Sequence, residues 1–145
     1  MPLGSICSGG RYESLASKGK KNYPGVGLSI GVTRLVSRIL AEEVVTASRS
    51  VPSVVYVTLA NEDSWHEAQD VAAQLRERGI ACEVAASAEK FGKQIKYADR
   101  RGIPFVWFTH ADGTHEAKDI RSGEQVTADP ATWMPAEADL KIAIS

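Results

Sequence analysis

Residues 53–109 alternate short β-rich runs with helix-length segments, and that alternation constrains the fold more than any other feature of the chain. VVYVTLA (54–60) is a nearly unbroken β-branched and aromatic run, the pattern of a strand covered on both faces. Ser64-Trp65-His66-Glu67 has the spacing of a capping box. It opens a helix to about Arg78 that places Trp65, Ala68, Ala72 and Leu75 on one buried stripe, with Gly79 as the stop. Ile80–Ala85 reads as a second strand, Ala88–Arg101 as a helix halted by Gly102 and Pro104, and Phe105–Thr109 as a third strand. Strands joined by helices pair in parallel, because a crossover is the only short path back to the same end of a sheet. Asp112-Gly113 then signals a hairpin into a strand at His115–Ile120, and Ser122-Gly123 turns the chain into Glu124–Ala128. Asp129-Pro130 reads as N-cap and first residue of a short C-terminal helix. The expected fold is α/β, a three-layer domain on a mixed, mostly parallel sheet.

Upstream of residue 50 the pattern differs. A glycine turn is expected at Gly9-Gly10, followed by the basic stretch SKGKKNYP (17–24) and a small-residue strand in GVGLSIGV (25–32). A helix from Thr33 to about Val45 sets Leu35, Val36, Ile39, Leu40 and Val44 on a packing face. Ser48–Pro52 reads as a linker, since the residue before a proline is driven toward extended conformations. The division expected is therefore 1–50 and 51–145.

Composition excludes several classes. With 145 residues and net charge −1, the chain is of a size to build one real core and is not globally basic. Cys7 and Cys82 stand far apart, which offers neither a disulfide framework nor a zinc knuckle, and His66, His110 and His115 supply no metal spacing. No run of about 18 apolar residues occurs, and MPLGSICSGG lacks the charged start and apolar core of a signal peptide, so a soluble cytoplasmic protein is expected.

The positive charge that exists is concentrated. Between Lys90 and Arg101 five cations face a single anion, Asp99. Phe91, Ile95 and Ala98 recur at i, i+4 and i+7 on one helix face, while Lys93, Lys96 and Arg100 recur at i, i+3 and i+7 on another. Such a stripe is either a solvated face or a surface for phosphate.

EKFGKQIKYADRRGIPF (89–105) followed by KDIRSGEQ (118–125) resembles the anticodon-binding domain of histidyl-tRNA synthetases. Cys7–Tyr12 resembles the GGRY histidine signature of that family, and GVGLSIGVTRL (25–35) resembles motif 3 of class II synthetases. The resemblance covers nearly the whole chain, in order. It implies that Arg34 meets the γ-phosphate of ATP, that Gly31 lies on the floor of the same site, and that Tyr12 borders the histidine pocket. The same positions admit plainer roles: a surface arginine, glycines for close strand packing and a half-buried tyrosine. Two positions depart from the family pattern, Glu13 where an aspartate is usual and Thr33 where an acidic residue precedes the arginine.

Motif 1, motif 2 and a further histidine signature do not precede Gly9, so the resemblance implies a C-terminal part of a synthetase. Residues 1–50 would be the end of the catalytic core and 51–145 the anticodon-binding domain. The full enzyme, a homodimer using ATP with Mg2+, would form histidyl-adenylate and charge tRNA-His; the 145 residues alone would not. Lys90, Lys93, Lys96 and Arg100 are placed to hold anticodon-stem phosphates, and Gln94, Lys118 and Arg121 to reach anticodon bases. Gln94 reads equally as a helix-surface glutamine and Arg121 as a turn residue paired with Glu124. A stand-alone RNA-binding or regulatory module, or a protein-interaction domain built on this fold, is the alternative.

Overall fold

The computed structural model describes residues 4–145, so the first three residues of the leader reading lie outside the described residues. The chain divides into two compact units, one running to Thr46 and including Ser145, the other Ala47–Ile144.

In the first unit β1 (Cys7–Tyr12) and β2 (Gly25–Ile30) form a two-stranded antiparallel sheet, followed by α1 (Val32–Ala41). The Gly9-Gly10 turn is a correction: both glycines sit inside β1. At Gly9 the role is close cross-strand approach, since a Cβ there would stand 2.6 Å from Leu28 Cδ2 and 2.8 Å from the Gly27 carbonyl oxygen, whereas a Cβ on Gly10 would meet nothing within 4 Å. The packing face expected of the helix is a second correction. No residue of α1 is buried, and Leu40 is 62% exposed. Val26, Leu28 and Ile30 alternate onto one face of the sheet, and Leu28 is 83% exposed. The apolar pattern is present, but among the described residues nothing covers it.

The second unit has the core. Its five-stranded sheet has the order β4-β3-β5-β6-β7, with β3 (Val55–Val57) parallel to β4 (Cys82–Val84) and β5 (Phe105–Thr109). β6 (His115–Asp119) and β7 (Gln125–Thr127) add the antiparallel part. Helices α2 (Trp65–Glu77) and α3 (Phe91–Arg101) make the crossovers, and α4 (Glu137–Leu140) is a single late turn. Val54, Val55, Val57, Leu59, Leu75, Ile80, Ile103, Val106 and Trp107 are fully buried. Register and alternation put Tyr56, Glu83, Val106, Phe108 and Lys118 on one face of the sheet, and Val57, Phe105, Trp107 and Ala117 on the other. Tyr97 and Phe91 of α3 pack on Tyr56 and Phe108 at ring distances of 5.1 and 5.3 Å. Trp133 packs on Phe105 and Trp107 of the opposite face at 5.2 and 5.5 Å.

Four local expectations change. The capping box lies three residues earlier: Asn61 Oδ1 accepts from the Ser64 amide at 3.0 Å across a 3-10 turn, and Ser64 caps nothing through its own side chain at the start of α2. Trp65 is 44% exposed, and Val71 fills the stripe with Ala68, Ala72 and Leu75. Asp129 caps a single turn, with Oδ1 accepting from the Ala131 amide at 2.8 Å, and Pro135 intervenes before α4. Ser48–Pro52 is pinned: Arg49 donates to the carbonyls of Val51, Pro52 and Asp139 at 2.8–3.1 Å, and Val51 is buried.

Candidate nucleic-acid interface

Helix α3 builds the basic surface. Gly102 ends it in the left-handed conformation at φ +72°, and its amide donates back to Asp99 at 2.9 Å. The end is crowded as well, for a Cβ there would meet Arg49 Cβ at 3.3 Å. With Ala98 buried and Ile95 packed against the core, Lys93, Lys96 and Arg100 face solvent on the opposite side. Lys93 pairs with Glu89 at 2.8 Å, an exposed i, i+4 contact that a phosphate can displace at little cost. Lys90, at the N-cap, and Lys96 and Arg100 have no carboxylate partner among the described residues. A groove of about 440 Å³ runs along Lys93, Lys96, Asp99 and Arg100. On its other flank the same helix walls a hollow of about 310 Å³, which Tyr56, Glu83 and Tyr97 also line. Burial pushes the Tyr56 phenol up to about 12, and the hydrogen bond to Glu83 raises that of Tyr97, so both stay protonated donors at neutral pH. Sequence periodicity gave no sign of this trio; the register pairing Tyr56 with Glu83 creates it.

Two expected base-contacting residues have other duties. Gln94 is 2% exposed: its Oε1 accepts from the Leu59 amide at 3.0 Å and its Nε2 donates to the Leu59 carbonyl at 2.8 Å, tying α3 to the end of the β3 segment. It is a buried clamp, neither a surface glutamine nor a free hand. Arg121 grips Asp119 at 2.7 and 3.0 Å and Asp139 at 2.6 and 3.0 Å, with its guanidinium 5.2 Å from the Phe105 ring centroid. The partner is not Glu124. Those contacts hold the Asp119 carboxyl below the usual carboxylate range and raise the arginine further. Lys118 lies on β6, opposite Val106 and Gln125, on the face that carries α3.

In the first unit Tyr12 lies at the end of β1, 46% exposed, with its ring over Gly27, where a Cβ would stand 2.6 Å from Cε2. It borders a hollow of about 230 Å³. Arg34 Nη1 donates to the Ser5 carbonyl at 2.9 Å and shares a neighbouring cleft of about 260 Å³ with Gly31. Ser8 and Ser29, whose hydroxyls are 2.9 Å apart, line both. This side of the sheet brings an arginine and small residues together, and among the described residues no group of three or more His, Cys, Asp or Glu is placed to hold a metal ion.

Residues 53–132 match the anticodon binding domain family. The chain belongs to that family. Across 95% of its length it is 68% identical to the histidine–tRNA ligase of Micrococcus luteus and 57% identical to that of Cutibacterium acnes. It spans only about a third of those curated relatives, 31% and 32%. The crystal structure of histidyl-tRNA synthetase from Nostoc sp. PCC 7120 superposes with a TM-score of 0.56 at 37% identity, covering 87% of this chain and 30% of that one. In the anticodon-binding domain the basic helix and the parallel strands under it thus lie wholly within the matched span. No helix among the described residues is long and apolar enough to cross a membrane.

Proposed function

We propose that this chain is the tRNA-binding end of a cytoplasmic histidine–tRNA ligase, in which the basic side of α3 receives the anticodon arm of tRNA-His. The observation that carries the reading is the coincidence of an exposed Lys93–Lys96–Arg100 stripe with the span matching the anticodon-binding family, in a chain 68% identical to a histidine–tRNA ligase. Lys90, Lys93, Lys96 and Arg100 would neutralise backbone phosphates, which sets affinity, and Lys118 is the remaining cation on the same sheet face for a base edge.

Residues 1–50 would contribute one wall of a catalytic core. The uncovered Val26, Leu28, Ile30 and Leu40 support this, because an apolar sheet and helix face of that extent belongs against further protein. In the whole enzyme Arg34 would hold an ATP phosphate by its planar fork, beside Gly31, and Tyr12 would border histidine. Bound ATP with Mg2+ supplies the activated phosphate chemistry that joins histidine to AMP. Because the chain spans only about a third of its relatives' length, the 145 residues alone would not activate histidine. The relatives' length also supports a larger enzyme, with a homodimer formed through the rest of the core.

The test is tRNA-His affinity as a function of salt. Lys93→Glu with Lys96→Glu should weaken binding at least tenfold and lower the slope of log affinity against log salt by about two, one per lost phosphate contact. Unchanged affinity and slope would remove α3 from the interface.

A further inference from the structure

The strand order leaves a shelf beside the proposed RNA-binding helix. β4 is an edge strand, while α3 packs over Tyr56 and Phe108 of the inner strands, so Glu83 stands at the open margin of the face it shares with Tyr56. Tyr97 donates its hydroxyl hydrogen to Glu83 Oε1, and its ring packs against Tyr56 at 5.1 Å. Glu83 Oε2 has no partner among the described residues. Neither nearby cation neutralises it: Lys93 pairs with Glu89, and Arg100 pairs with no carboxylate. A carboxylate oriented by a tyrosine is poorly suited to a wall that only holds phosphate, because it repels the backbone the lysines attract. It is well suited to a ligand that presents hydrogen-bond donors.

We propose that Glu83, oriented by Tyr97, reads a guanine base splayed from a single-stranded loop of the bound RNA. Its carboxylate accepts from N1–H and the 2-amino group, two adjacent donors that only guanine among the unmodified bases carries on its pairing edge. The base enters the 310 Å³ hollow against the aromatic surface of Tyr97 and Tyr56, and Lys93 and Arg100 meet the phosphates on either side. This deepens the RNA-binding reading above and rests on it.

The experiment uses the full chain and tRNA-His transcripts in which each anticodon-loop guanosine is replaced singly by inosine, which keeps N1–H and loses the 2-amino group. Equilibrium titrations at about 50 mM salt are expected to show, at one position, a roughly tenfold loss for inosine. Glu83→Gln is expected to bind the unmodified transcript roughly tenfold more weakly and to treat guanosine and inosine alike. Tyr97→Phe, which keeps the ring and releases the carboxylate, is expected to discriminate less than the wild type, with thermal unfolding showing both variants folded. Equal binding of every inosine transcript by the wild type, or full discrimination by Glu83→Gln, overturns the assignment of Glu83 while leaving tRNA binding intact. Absence of tRNA binding altogether overturns both.

Discussion

Helices α1 and α3 are both amphipathic in sequence, and they end in opposite circumstances. α3 lays Ala98 and Gln94 into a core that the strands on either side of it complete, whereas α1 buries no residue at all. The sheets repeat the contrast: Val55, Val57 and Val106 are fully buried, and Val26, Leu28 and Ile30 are not covered. Apolar periodicity therefore states that a face wants a partner. It does not state that the same stretch of chain supplies one.

The contrast is sharpest in stability. Leu75→Ala in the buried stripe of α2 should cost about 3 kcal/mol, and Gln94→Ala about 2 kcal/mol by stranding the Leu59 amide and carbonyl. Leu40→Ala, at an exposed position of α1, should change the main unfolding transition by less than about 0.5 kcal/mol. Denaturant midpoints of the three variants check this, and a Leu40 effect as large as that of Leu75 would break the distinction between the units. A smaller effect sharpens it within the second unit. Arg121 holds the Asp119 carboxyl below its ordinary value, so this pairing stabilises the fold above about pH 4 and is lost as pH falls through the lowered folded value. Asp119→Asn should lower stability at pH 7 by at most about 1 kcal/mol, because the arginine is solvent-screened, and the difference from wild type should begin to narrow below about pH 4 and vanish only below the lowered folded value. A difference that does not narrow at all as the pH falls below about 4 would mean that the carboxylate charge is not what the arginine contributes.

What the sequence disclosed follows the same physics. The parallel strands and both crossover helices were legible because β-branched runs and terminal glycines at 79 and 102 are local signals, and both glycines adopt positive φ. Gly9-Gly10 reads as a turn because glycine serves both tight turns and close strand approach, and at Gly9 only the cross-strand neighbours Gly27 and Leu28 decide between them. The basic stripe was legible from spacing alone. Gln94 and Arg121 were not, since their partners lie 35 and 18 residues away at Leu59 and Asp139. Glu83 has no signature in the sequence for a related reason: a lone glutamate on a three-residue strand carries no pattern, and its setting arises only from the register with Tyr56.

Hydrogen exchange on the intact chain, with and without tRNA-His at low salt, tests the division of labour most directly. The account predicts that without RNA the amides of β3, β5 and α2 are protected while those of α1 exchange rapidly, and that RNA adds protection to α3 and the adjoining Glu83–Lys90 segment alone. New protection confined to residues 4–46, or none along α3, would contradict it.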